Sequence, residues 1–359
     1  MTKNNNASPV IAVDAMGGDN APHAIVHGAL HAARKGIAVI VYGDQTQIEP
    51  ILHACAKNWK QLPITIVHCA EVVAMDARPT HSVTKQHDSS LNRMLHAVVN
   101  GQAHAAITAG NSGAALVAGM LIYKTLDEID RPALGKYLPT KQGTVFCLDL
   151  GVNADCKPEY LFQFALMGHA YMRTDRAMET PRIGLLSNGH EPYKGSMLVK
   201  KAYNLLHNTP HINFVGNVEA RDIFEGYADV IVSDGFTGNI VLKTAQGTIK
   251  TLAHWIEHEC SKKWWLYRIL FALLGKKLLA PLDAKTDYAH QAGALLLGLQ
   301  HPLIIAHGCA TAQAIERSII YAHELVQRNF LKRFNAELEN QLTRTTCLPS
   351  EQPNTTLNL

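Results

Sequence analysis

The chain has 359 residues, 47% hydrophobic and 18% charged, with a net charge of +3, enough apolar material for one large core or two moderate ones and the make-up of an ordinary globular protein. So small a charge, without a Lys/Arg stripe interleaved with aromatics, gives no support for nucleic acid as a partner, and no uninterrupted apolar run approaches the roughly 20 residues that cross a bilayer. The seven cysteines are scattered and form no Cys-x-x-Cys, which speaks against a disulfide framework or zinc knuckle and points to a reducing cytoplasm.

Residues 1–8, MTKNNNAS, are polar and lack an apolar stretch, so they read as a disordered leader and not as a signal peptide. VIAVDAMGGDNAP (10–22) then runs from a buried strand through Gly17 and Gly18 to a helix start. A helix beginning there leaves its first N–H groups unpaired and favours an anion, which the two glycines let approach closely. Further Val/Ile-rich runs alternate with helical patterns: IAVIVYG (37–43), LPITIVH (62–68), AAITAG (105–110), TVFCLDLG (144–151), RIGLLSNG (182–189), INFVGNV (212–218), ADVIVSDG (228–235) and PLIIAHG (302–308). The alternation predicts an α/β fold, a mostly parallel Rossmann-like sheet with helices on both faces, in a single domain over 9–342. The polar, Pro-containing stretch 343–359 reads as a disordered tail.

Five turns between strand and helix, GGDN (17–20), GNSG (110–113), SNG (187–189), DGFTGN (234–239) and HGCAT (307–311), join Gly to Asn, Ser, Thr or Asp. In an open α/β sheet such turns gather at the carboxyl edge of the strands, which predicts an anion-binding crevice there. Neither the Gly-x-x-x-x-Gly-Lys-Ser/Thr nor the Gly-x-Gly-x-x-Gly fingerprint occurs, so a nicotinamide dehydrogenase is disfavoured. Ser112 lacks the Gly-x-Ser-x-Gly elbow of a nucleophile and reads as a hydroxyl donor to an anion or a helix N-cap. Lys194 and Lys243 lie in or just beyond glycine turns, where a cation has a use. HWIEH, from His254 to His258, matches a zinc-protease spacing but reads as a solvated helix face in a chain with 19 histidines, and no metal is expected.

The segment 261–282, SKKWWLYRILFALLGKKLLAPL, differs in kind. Its apolar run is flanked by Lys262, Lys263, Lys276 and Lys277 and carries Trp264 and Trp265, a pattern suited to an anionic membrane surface. A helical segment over about 250–285 is expected to protrude; burial at a subunit contact is the alternative.

Together with the opening stretch, DARP (76–79), GNSGA (110–114), RPAL (131–134), LDLGVNADCKPEYLFQFALMG (148–168), DGFTGNIVLKT (234–244) and IIAHG (304–308) resemble, in order, the bacterial phosphate acyltransferases, fatty acyl-acyl-carrier-protein:phosphate acyltransferases. The chain departs from that family in placing His190, Glu191, Pro192 and Tyr193 where glutamates are usual, Ser112 for Thr, and Ala292 for Gly. The resemblance implies a cytoplasmic homodimer, peripherally membrane-associated, that needs no cofactor. It would pass an acyl group from acyl carrier protein to inorganic phosphate and hand the acyl phosphate to a membrane glycerol-3-phosphate acyltransferase. Phosphate is its own nucleophile, so the chemistry calls for positioning and charge stabilisation and for no covalent intermediate. On this reading Gly17, Gly18, Asn20, Asn111, Ser112 and Gly113 cradle phosphate, and Lys194 and Lys243 neutralise charge. Asp234 and Asn239 orient neighbouring groups, His307 protonates the departing thiolate, and Asp14 and Arg78 brace the loops. The four lysines of 262–277 and the two tryptophans would meet membrane or the acidic carrier. An acyl-CoA:phosphate transferase and a non-catalytic membrane scaffold are the rival readings.

Overall fold

The computed structural model describes residues 8–262 and 292–346. β1 (Val10–Asp14), β2 (Ala38–Gly43), β3 (Ile64–His68), β4 (Ala105–Thr108) and β11 (Leu303–Ile305) form one parallel half of a single sheet, in the order β3-β2-β1-β4-β11. The order continues β10-β5-β6-β9-β7-β8, with β5 (Ala133–Thr140), β6 (Gly143–Leu148), β7 (Ile183–Ser187), β8 (Phe214–Glu219), β9 (Val230–Val232) and β10 (Ala294–Leu297). β6, β9, β7 and β8 are parallel to one another, while β10 and β5 join the halves through three antiparallel pairings.

That seam changes what the sequence predicts. An odd number of antiparallel pairings makes the second half run opposite to the first, so the five glycine turns do not share one carboxyl edge. GGDN, GNSG and HGCAT follow β1, β4 and β11 at one edge; SNG and DGFTGN follow β7 and β9 at the other.

Helices cover both faces, because successive side chains of each strand point to opposite sides. On one face α1 (His23–Arg34), α2 (Gln45–Cys55), α6 (Pro158–Arg176), α7 (Met197–His207), α9 (Ala312–Gln327) and α10 (Phe330–Thr346) build the larger core with Ile11 and Val13 of β1. On the other, α4 (Ser90–Val99) and α5 (Ser112–Ala118) enclose a second core around Ala12 and Ala106. α8 (Gly235–Lys262) packs Val241 and Leu242 onto a third cluster over β6 and β9. Its 28 residues extend about 42 Å at 1.5 Å per residue, and Phe236, Ile240, Ile249, Leu252 and Trp255 are exposed along it. Lys263, Trp264, Trp265, Lys276 and Lys277 lie outside the described residues, as does the side chain of Lys262. Among the described residues no helix is long and apolar enough to cross a membrane. The tail boundary at 343 needs correction: α10 runs to Thr346, and the Thr343 and Thr345 hydroxyls donate back to the carbonyls of Glu339 and Gln341 within that helix.

Candidate active site

At the edge where β1, β4 and β11 end side by side, three glycine turns touch. The Asp19 N–H donates to the Gly308 carbonyl at 2.8 Å, and Asn20 Nδ2 donates to the Ala310 carbonyl at 3.4 Å. A Cβ on Gly17 would come within 2.6 Å of Asp14 Oδ2 and 2.7 Å of the Gly110 nitrogen, and one on Gly18, whose φ is +113°, within 3.0 Å of the Gly308 carbonyl. The approach of the turns, not only their freedom, requires glycine here.

Asp14 holds this edge. Its side chain is buried; Thr108 Oγ1 donates to Oδ2 at 2.8 Å and the Met16 N–H to Oδ1 at 3.1 Å. Burial pushes its carboxyl above the usual range, and the Ser90 and Thr108 hydroxyls with the Met16 and Gly17 N–H groups pull it back. Thr108 in turn accepts from the Gly110 N–H at 3.0 Å, so one carboxylate orders both the first and second turns.

Asn111 is the N-cap of α5: Oδ1 accepts from the Ala114 N–H at 3.0 Å, and Nδ2 donates to the Met75 and Ala77 carbonyls at 2.9 and 3.1 Å. Its side chain is therefore spent within the fold. The cap considered for Ser112 belongs to its neighbour, and Ser112 is the exposed first residue of the helix. Gly113 lies under Pro79, whose Cγ a Cβ would meet at 2.9 Å. Arg78 precedes α3 (Pro79–Lys85) with an exposed side chain, and only its backbone carbonyl, accepting from Ser82, takes part in that end.

The second edge is ordered by a residue that sequence reasoning passed over. Asp149, fully buried, accepts five N–H bonds: from Leu134, Gly151 and Val152 at Oδ1 (3.1, 3.1 and 3.3 Å), and from the backbone and side chain of Asn153 at Oδ2 (2.7 and 2.8 Å). Burial raises its carboxyl above the ordinary value while these donors pull it down. The start of α8 lies directly on this turn: Cβ atoms on Gly235 and Gly238 would come 2.8 Å from Asp149 Oδ2 and 1.9 Å from the Asp149 carbonyl. Asp234 caps α8, taking the Thr237 N–H and hydroxyl at 2.8 Å each, and Asn239 lies against Gly151 with its side chain exposed.

α8 connects the two edges. Lys243 Nζ lies 2.8 Å from His307 Nε2, on the turn after β11. An ammonium only donates, and the Cys309 N–H donates to Nδ1 at 3.4 Å with Cys309 Sγ 3.1 Å from the same nitrogen, so both ring nitrogens face donors and these contacts assign the ring hydrogen to neither. Lys194, by contrast, stays with the loop after β7: its methylenes lie over Gly189 and its Nζ is 5.9 Å from the Tyr193 ring centroid. The structure thus joins Gly17, Gly18, Asn20 and His307 with Lys243, and keeps Lys194 on the opposite half of the sheet. His254 and His258 are exposed on α8, their rings stacked 6.1 Å apart.

Lys136 is a second residue that the sequence did not single out. It projects from β5 and donates to the Ala292 carbonyl at 2.9 Å, just before β10 and next to the β11 chain that delivers His307. Burial lowers its amine to about 8. The unfolded chain, with an ordinary lysine, then holds this proton more firmly between pH 8 and pH 10.5, so wild-type stability rises through that window. The urea midpoint of Lys136→Met is accordingly expected to lead wild type most at pH 7 and to lose that lead by pH 10. A pH-independent difference would contradict the burial assigned to this amine. The signal available in sequence was a lysine two residues inside a hydrophobic run, legible only once that run is known to be a strand.

Comparison with known proteins agrees with this architecture. Residues 10–333 match the family described as "Fatty acid synthesis protein". The chain is 43% identical over 330 residues to a phosphate acyltransferase of Geotalea uraniireducens, covering 92% of this chain and 94% of the relative. It is also 43% identical over 332 residues to a phosphate acyltransferase of Oceanobacillus iheyensis, covering 92% and 97%. A phosphotransacetylase of Streptococcus pyogenes shares the fold with a TM-score of 0.58 at 16% identity, over 89% of this chain and 94% of that one. A Rossmann-like α/β sheet, motifs in family order and identity above 40% over nine-tenths of the length lead to one conclusion: the chain belongs to the phosphate acyltransferase family of enzymes.

Proposed function

We propose that this protein transfers a fatty acyl group from acyl-acyl carrier protein to inorganic phosphate, giving acyl phosphate for membrane phospholipid synthesis. The observation that carries the reading is the Lys243–His307 contact, which sets a cation and a titratable ring on the rim of the glycine edge. Phosphate held by the turns around Gly17, Gly18, Asn20 and Ser112 attacks the thioester carbonyl, and the thiolate of the carrier leaves. The cation of Lys243 offsets charge on the phosphate and on the developing oxyanion. His307 takes up the proton that the attacking hydrogen phosphate gives up and passes it to the departing sulfur. Asp14 and Asp234 act by fixing the turns on which these groups ride.

Release of carrier thiol is expected to require phosphate and to yield an acyl hydroxamate on trapping with hydroxylamine. Equal release without phosphate would make the protein a thioesterase and end this assignment. Lys243→Ala is expected to raise the phosphate requirement, since a charge-assisted hydrogen bond to a desolvated anion contributes about 1.5–3 kcal/mol. Lys194→Ala reports whether the loop after β7 reaches the same anion.

The working form on this reading is a cytoplasmic homodimer at an anionic membrane surface, passing product to a membrane glycerol-3-phosphate acyltransferase. Its contact is the segment of Trp264 and Trp265 with its flanking lysines, supported by the exposed Ile249, Leu252 and Trp255 on the helix leading to it. Replacing both tryptophans with Ser is expected to abolish sedimentation with anionic vesicles while soluble turnover persists. Loss of dimerisation and turnover together would make the segment a subunit contact instead.

A further inference from the structure

At the outer strands of the second half, the loop after β7 and the turn after β8 bring together three side chains that the acyl-transfer reading does not use. His190 Nε2 lies 3.1 Å from Asp222 Oδ2 and 3.8 Å from Glu219 Oε1. The other oxygens of the two carboxylates face outward to Arg221, whose Nε is 3.2 Å from Glu219 Oε2 and 3.7 Å from Asp222 Oδ1. The arginine thus occupies one side of the pair and leaves the other to His190. His190 Nδ1 is 3.3 Å from the Asn217 backbone carbonyl, which can only accept, so Nδ1 carries a hydrogen and Nε2 is the nitrogen turned toward the two carboxylate oxygens. A ring nitrogen and two carboxylates that converge in this way need positive charge between them, which a proton on Nε2 or a metal ion in its place supplies.

A second observation, independent of that cluster, points the same way. Asn217 is only 4% exposed and donates through Nδ2 to the Glu191 carbonyl at 2.8 Å, but its Oδ1 is buried with no hydrogen-bond partner. It lines the same cavity, of about 420 Å³, as His190, Arg221 and Asp222. Asp222 Oδ2 is likewise buried and, apart from the His190 ring, unpartnered. A buried amide oxygen beside two carboxylates suits a water molecule bound to an ion.

We propose that His190, Glu219 and Asp222 form a binding site for a divalent transition-metal ion of the zinc or manganese class, with Asn217 Oδ1 accepting from a metal-bound water. The three ligand atoms lie within 4.8 Å of one another, and an ion about 2.0–2.2 Å from each needs donors about 3.2–3.6 Å apart, a modest closure. One nitrogen and two carboxylate oxygens are a donor set for zinc or manganese more than for calcium. The backbone carbonyl behind Nδ1 is the outer partner that ligating histidines commonly have. Bound there, the ion staples the loop carrying Lys194 to β8.

The test is calorimetric titration of ZnCl₂ into the chelator-treated full-length protein, with thermal melting beside it. One saturable equivalent and a raised melting temperature are expected for wild type. His190→Ala, whose half-exposed ring should be removable without unfolding, is expected to weaken binding at least tenfold, as is Glu219→Gln, each with a metal-free melting curve near that of wild type. His254→Ala is expected to bind as wild type does. Absence of a saturable equivalent, undiminished binding in His190→Ala, or its loss in His254→Ala would overturn the proposal.

Discussion

Asp149→Ala is expected to destabilise the protein by at least about 4 kcal/mol, enough to take much or all of the margin by which an ordinary domain stays folded. The carboxylate has no solvent exposure and satisfies five N–H groups drawn from Leu134, Gly151, Val152 and Asn153. Removing an acceptor from a buried donor costs about 1–3 kcal/mol for each group left unpaired. Rearrangement is blocked on the side of α8, because Gly235 and Gly238 press against the same turn. Asp149→Asn keeps one acceptor oxygen but turns an amide N–H₂ toward other donors, so it should lie between alanine and wild type. Urea unfolding of the three proteins measures the series. An alanine variant with a midpoint close to wild type would mean that water reaches these N–H groups and that the turn is looser than drawn.

The same turn shows where sequence reading stopped. β1, β4 and β11 are legible because each is a short apolar run followed within a few residues by Gly and by Asn, Ser, Thr or Asp, and their order along the sheet brings the three turns together. In the sequence Asp149 stands out only as part of the motif LDLGVNADCKPEYLFQFALMG, because an aspartate before Leu-Gly has the appearance of an ordinary turn. Its importance lies in donors such as the Leu134 N–H, 15 residues away on β5.

β5 itself, ALGKYLPT, mixes Gly, Lys and Pro, and β10 is four residues of a leucine-rich stretch; neither carries a strand's period of two. Missing both hid the antiparallel seam, and with it the opposed directions of the two halves. Lys194 could then be placed beside Gly17 on sequence grounds, although the sheet sets them on opposite halves. The Lys243–His307 contact was equally illegible, since its two residues are 64 positions apart and meet only because α8 lies across the sheet.

Other backbone lies against the first glycine pair, and this makes Gly17→Ala the variant with the largest expected effect on turnover. The added methyl would meet Asp14 Oδ2 at 2.6 Å and the nitrogen and Cα of Gly110 at 2.7 and 2.8 Å, and backbone atoms cannot turn aside as a side chain does. The GNSG turn must therefore move, and with it Ser112 at the head of α5. Overpacking of this kind costs about 1–3 kcal/mol of stability, which leaves a folded enzyme. The catalytic loss should be larger: a shift of about 1 Å in groups that position a nucleophile costs about a hundredfold. Gly17→Ala is thus expected to lose about two orders of magnitude in kcat/KM for phosphate while its urea midpoint falls only modestly. Gly36→Ala is the control on stability, since a methyl at that position meets nothing within 4 Å, although its φ of +85° carries a strain of its own. It should cost stability and leave phosphate kinetics near wild type. If the Gly17 variant folds and uses phosphate as wild type does, the turn after β1 is only a change of chain direction, and the anion lies elsewhere in the molecule.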